Sequence, residues 1–190
     1  YAGGKHIGIE YDSVTGLFGP GGIFAALILA EAGLKPIVLE RGLDAESRQK
    51  KVREFWETGK LDPSCNVQFG EGGAGTFSDG KLTTGIKSPC MGWILEQFHE
   101  AGARENILFD AKPHIGTDVL VTVVQNLRKK IEALGGEVRF GCRMTGLEQT
   151  MGHLTGLIYE QAGETVHLDC ERAILAIGHS ARDTFAMLLE

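Results

Sequence analysis

The chain has 190 residues, enough for one substantial core or one domain with an insertion. A formal net charge of −6 and the lack of a basic block argue against a nucleic-acid partner. The longest apolar run, Ile23 to Ala30, is far too short to span a membrane, so no membrane partner is expected, and the widely spaced cysteines read as the reduced thiols of a cytoplasmic chain.

No secretory signal pattern is read, and Tyr1 in place of Met is expected of a piece of a longer gene product. Cys65, Cys90, Cys142 and Cys170 are widely spaced and form no C-x-x-C. They are expected to be reduced, small apolar groups, and no Cys/His cluster has metal-ligand spacing.

Residues 1–10 read as a leader or linker, and 11–190 as the domain. Ser13 to Leu17 predicts a strand, and Gly21 to Ala32 a helix apolar on nearly every face, hence buried. Gly33 predicts a glycine C-cap. Pro36 to Glu40 predicts a second strand. This β-α-β unit has the organisation that binds the ADP half of a dinucleotide. Glycines let the backbone approach a pyrophosphate, the helix N-terminus offers free N–H groups, and an acid about 20 residues on accepts from ribose hydroxyls. Gly19 and Gly22 match the second and third glycines of G-x-G-x-x-G, and Glu40 follows Gly19 by 21 positions. The first glycine falls on Leu17, and Phe18 is bulky for a position beside a pyrophosphate. Either the turn is rebuilt around Gly16 or affinity is reduced; a β-α-β unit without ligand is the plain alternative.

A polar helix follows over 45–57, with Val52, Phe55 and Trp56 as its apolar side. The stretch 59–89 predicts a long glycine-rich loop, of a length that is usually functional or disordered. Its glycine-dense part, Gly70 to Gly85, is expected to be mobile until a cofactor fills its surroundings. Within it, Gly75 to Lys81 has the spacing G-x-x-x-x-G-K, but Leu82 stands where a P-loop needs Ser or Thr for magnesium. P-loop-like nucleotide binding at 75–81 is therefore a minor alternative. Lys81 could neutralise phosphate or be solvated.

Trp93 to Ala101 predicts a helix, and Thr117 or Asp118 can cap the next. That helix carries Leu120, Val124, Leu127, Ile131 and Leu134 on one face, with Arg128-Lys129-Lys130 as a wet face. A short strand over 137–140, a hairpin of 154–160 with 165–170, a strand over 172–177 and a helix over 181–189 complete the reading. The fold class is α/β: a Rossmann-like, doubly wound parallel sheet with a small antiparallel addition. His114, in a Pro-His-Ile-Gly turn, could be an acid–base group or a hydrogen-bonded structural histidine. His179 follows a strand-end glycine, where α/β sheets place ligands. Arg182 and Asp183 could pair on one helical turn or mark a capped helix start.

The strings ERG (40–42), FWETGKLDP (55–63), NVQFGEGGAGTFSDGKLTT (66–84), KPHIGTD (112–118) and AIGHSARDTF (176–185) carry a resemblance. Together they resemble a bacterial family of FAD-dependent, NAD(FAD)-utilising dehydrogenases whose FAD domain is similar to that of glutathione-reductase-like flavoproteins. The resemblance covers residues 11–190 and implies an FAD-dependent oxidoreductase, with hydride transfer through bound flavin. It implies FAD as cofactor, NAD(P) as an electron donor or acceptor, a small-molecule substrate, and a substrate domain and flavin segment beyond this stretch. Gly19, Pro20, Gly21 and Gly22 would face the pyrophosphate, Glu40 the ribose and Arg41 the adenine. Gly72, Gly73, Ala74, Gly75 and Thr76 would pass close to the flavin or pyrophosphate. Met144 would offer backbone groups to adenine, and Ala176 to Gly178 would form a turn near the cofactor. A Rossmann-like module that retains no cofactor is the alternative from another class.

Overall fold

The computed structural model describes residues 13–16, 18–77, 80–82 and 87–189. Leu17, the position at odds with the glycine pattern, lies outside them. Four short strands, β1 (Ser13–Gly16), β2 (Ile37–Glu40), β3 (Glu137–Phe140) and β7 (Arg172–Leu175), pair in parallel in the order β3-β2-β1-β7. Between β3 and β7 the chain builds a separate antiparallel sheet from β4 (Cys142–Thr150), β5 (His153–Gln161) and β6 (Glu164–Asp169). The molecule is thus mixed α/β with one parallel and one antiparallel sheet.

Alternation along β2 sorts the core into layers. Val38 faces the helices, in a cluster with Ile23, Ala26 and Leu27 of α1 (Pro20–Glu31) and Val123, Val124, Leu127 and Ile131 of α4 (Thr117–Ala133). Ile37 and Leu39 face the other way, against Cys142, Leu157, Tyr159 and Cys170. One face of the parallel sheet is therefore covered by helices and the other by the antiparallel sheet.

Several expectations change on contact with this packing. Helix α1 is not buried all round: Ile28 is 54% exposed, because the sheet and α4 cover only part of its surface. Helix α2 (Ala45–Thr58) buries Ala45, Arg48 and Val52, while Trp56 is 66% exposed and meets Phe77 edge-on. Helix α3 (Cys90–Glu100) begins three residues before the predicted Trp93, and its Trp93 and Phe98 rings meet Phe24 edge-on. The N-cap of α4 is Gly116, with no side-chain cap bond, so neither Thr117 nor Asp118 caps it. The basic run of α4 is not simply wet: Arg128 binds Glu71 at 2.7 Å, and Lys130 bridges Glu31 and Glu100. Strand β4 was not foreseen. The hairpin β5–β6 turns through Ala162 and Gly163, both at positive φ, as a twisted two-residue turn requires. A short helix α5 (Arg182–Met187) closes the described chain.

Candidate functional site

The strand order reverses at β1: β2 lies on one side of it and β7 on the other. The chain leaves β1 through Phe18 and Gly19 and enters α1 at Pro20. Proline suits a first helical position, where its missing N–H costs nothing. Gly19 caps without a side-chain bond and the first turn holds no acid, so that turn's backbone donors remain without a side-chain acceptor.

A cleft of about 540 Å³ opens beside this turn. Gly19, Pro20 and Gly21 line it together with Glu40, Gly73 and Ala74, and with the segment Leu175 to Ser180 that follows β7. Phe69, Gly70, Phe185 and Leu188 add apolar surface. The floor needs glycine: a Cβ on Gly73 would lie 3.0 Å from Gly19 Cα and 3.2 Å from Pro20 Cδ. Among the described residues no Lys or Arg lines this cleft, so what they offer an anion there is backbone and helix dipole.

The cleft brings together Gly19, Pro20, Gly21, Glu40, Gly73, Ala74, Ala176, Gly178 and His179. His179 is exposed, with its Nε2 3.3 Å from Ser180 Oγ. Gly22, Arg41, Gly72, Gly75, Thr76 and Met144 are not among the lining residues. Gly22 is on the buried side of α1. Met144 packs among the apolar residues between the sheets. His114 lines a separate pocket of about 260 Å³ with Arg104, Asn106 and Asp118. It forms a β-bridge with Lys81, so KPHIGTD is laid against the far end of the glycine loop.

Phe18 is fully buried in the helix-side core and does not line the cleft, so its bulk does not stand in the way of a pyrophosphate. Its backbone N–H donates to Glu40 Oε2 at 2.5 Å. Glu40 Oε1 accepts from Gly42 and Gly70, each at 2.8 Å. Glu40 is 1% exposed, and burial raises its carboxyl above the usual range against the pull of these amides and of Arg48. A carboxylate offers about four acceptor positions, so about one is left for a ribose hydroxyl. Gly42 has no room for a side chain there: a Cβ would lie 2.5 Å from Gly70 Cα.

Sequence reasoning passed over Arg48 and Glu71, two buried charges that shape the loop. Arg48 donates to the carbonyls of Asn66, Val67, Gly70 and Glu71 at 2.7–3.2 Å and lies over the Phe77 ring. Burial lowers its pKa to about 10. Glu71 accepts from the Ala45 amide and from Arg128, both at 2.7 Å. The amides of Gly70, Glu71, Gly72 and Gly73 all donate within the protein. Gly72 and Gly73 therefore contribute closeness to the cleft region rather than spare donors. The only sequence signal for Arg48 was an arginine one turn before Val52 on the helix face that becomes buried.

The G-x-x-x-x-G-K run does not build a P-loop. Ala74–Phe77 is a single 3₁₀ turn, no strand precedes it among the described residues of the loop, and Lys81 sits in the bridge to His114. Asp183 does not simply pair with Arg182 or cap α5; it binds Arg41 from β2's end. Cys65, Cys142 and Cys170 are buried and Cys90 is exposed, and none of the four is in a disulfide. Burial pushes the Cys142 thiol up to about 11, which suits a packing role. Among the described residues no His/Cys/Asp/Glu group has metal-binding geometry, and no helix is long and apolar enough to cross a membrane.

No protein-family model matches the chain. An uncharacterised protein of Clostridium beijerinckii is 49% identical over 171 residues, spanning 90% of this chain and 31% of that protein. Thermovibrio ammonificans THI4 superposes with a TM-score of 0.59 at 18% identity, over 93% of this chain and 60% of that structure. The 3-ketosteroid-delta4-(5alpha)-dehydrogenase of Rhodococcus jostii RHA1 aligns with a TM-score of 0.49 at 16% identity, over 89% and 47%. The chain shares the fold of THI4 and spans under a third of its Clostridium relative.

Proposed function

We propose that this chain is the Rossmann-like FAD-binding part of a flavin-dependent oxidoreductase. The observation that carries the reading is the place of the cleft. It lies beyond the carboxyl ends of β1 and β7, at the reversal of strand order, with the N-terminus of α1 opening into it. Open α/β sheets bind nucleotides at such switch points. The residues fit the group. Gly19, Pro20 and Gly21 offer an uncapped helix end to a pyrophosphate, and glycine at 73 lets the loop close on Gly19 and Pro20, where a Cβ would crowd them.

Bound flavin would supply hydride transfer. The chain's own part is to bind, orient and exclude water. The helix end would stabilise phosphate charge. Glu40, with about one acceptor position to spare, would take one ribose hydroxyl while its other bonds hold the turn together. Phe69, Ile177, Phe185 and Leu188 would cover an aromatic ring. Among the described residues His179 is the one histidine that lines the cleft, whereas His114 belongs to another pocket. The substrate, and a role for NAD(P) as electron partner, would lie with the rest of a longer protein.

The visible absorption of purified protein tests the reading. A bound-flavin spectrum, displaced by excess ADP, is expected; colourless protein that takes up no FAD on titration would sink it. One observation favours the alternative, a module that folds without retaining cofactor: Glu40 is already bonded to three amides, which gives it a structural reason to be there.

A further inference from the structure

Helix α5 has six residues, too few to be stable alone, so tertiary contacts must place it. With the segment before it, α5 forms one wall of the cleft through Ile177, Phe185 and Leu188. Phe69 and Gly70 supply a second part of its wall. The apolar cluster joining the two parts is small: Phe69, Ile177 and Ala181, with Leu188 packed against it.

Arg41 touches both parts without lining the cleft. Its Nη2 stands 2.7 Å from each Asp183 carboxylate oxygen and 3.3 Å from Thr184 Oγ1. Its guanidinium carbon lies 4.6 Å from the centre of the Phe69 ring. Arg41 is 9% exposed while Asp183 is 48% exposed, so the pair is shielded from solvent on the arginine side only. Arg143, itself paired with Glu160, stands 3.8 Å from Asp183. Asp183 would therefore keep a cation nearby if Arg41 were replaced, and such a variant should fold.

We propose that Arg41 is a positioning residue of the cofactor cleft: its grip on Asp183 sets how far α5 stands from Phe69, and so how closely the cleft holds the aromatic ring of a dinucleotide. The proposal rests on the FAD reading for its ligand, but the positioning can be measured without one.

The test is a double-mutant cycle of Arg41→Met and Asp183→Asn with two readouts: FAD affinity by titration, and amide exchange of the cofactor-free protein. Each single change should weaken FAD binding about tenfold, and the double change no further, because both break one link. Exchange should rise over 177–188 in all three variants while α1 and β2 stay as protected as before. Additive losses of affinity, or unchanged exchange over 177–188, would overturn the proposal. Exchange rising everywhere would do so too, since Arg41 would then support the fold rather than the wall. If the unaltered protein takes up no FAD, the cofactor reading fails, and the exchange result alone decides whether Arg41 positions α5.

Discussion

Removing the Glu40 side chain would strand the amides of Phe18, Gly42 and Gly70 inside the protein. Each buried donor left without an acceptor costs about 1–3 kcal/mol, so we expect Glu40→Ala to lower stability by roughly 3 kcal/mol or more, read by urea unfolding. Wild-type stability with lost FAD binding would instead make Glu40 a ligand and nothing else. Phe18 offers a complementary case. It is fully buried against α1 and α4, so Phe18→Ala should cost about 3–5 kcal/mol and leave FAD retention no better. Improved retention would mean that the ring does obstruct the cleft. The spacing from Gly19 marked Glu40 as important, but not its partners. Those come from residues 18, 42 and 70, which only the folded chain brings to one carboxylate.

Helix α2 shows how local signals and tertiary ones divide. Its ends are written in the sequence. Asp44 caps the amides of Glu46 and Ser47 at 3.1 Å, and Gly59 closes the helix in the left-handed conformation. Asp44→Ala should cost about 1 kcal/mol in denaturant unfolding. Burial works against the Asp44 charge, but its hydrogen bonds with Ser47 and Glu46 outweigh it and hold the carboxyl below its ordinary 3.8. The folded pKa is the lower one, so the unfolded chain binds more protons between the two values. Asp44 therefore contributes stability above 3.8 that is lost as pH falls through the folded pKa. Asp44→Asn keeps an acceptor but cannot titrate, and its melting temperature should fall less steeply than wild type below pH 3.8. Parallel acid limbs would refute this. Which face of α2 is buried was not legible, because Arg48 is turned inward by four loop carbonyls that no helical period announces. Strand β4 was missed for a related reason. Register shifts between Met144 and Gly146, and between Glu148 and Gln149, break the alternation by which a strand is read.

At the scale of the whole molecule, the β-α-β unit, α4 and the hairpin were legible because each carries a period or turn that local rules decode. The glycine loop was not, since its order comes from charges buried on other elements. Residues 66–71 are gripped by Arg48 from α2, Gly70 by Glu40 from β2, and Glu71 holds Arg128 from α4. Four successive amides, Gly70 to Gly73, donate to Glu40, Leu43, Phe18 and Gly70 in turn. For Gly70 to Gly73, the first residues of the 70–85 stretch expected to wait for a cofactor, these bonds argue for order without one. A cleft whose floor is built in advance spends less of its binding energy on ordering the chain. We therefore expect strong hydrogen-exchange protection at Gly70 to Gly73 in cofactor-free protein, and little further gain when FAD is added. Arg48→Met, which leaves four carbonyls without their donor, should abolish that protection and weaken FAD binding together. Weak protection that appears only with FAD would restore the earlier expectation and leave the buried Arg48 contacts without the ordering role assigned to them.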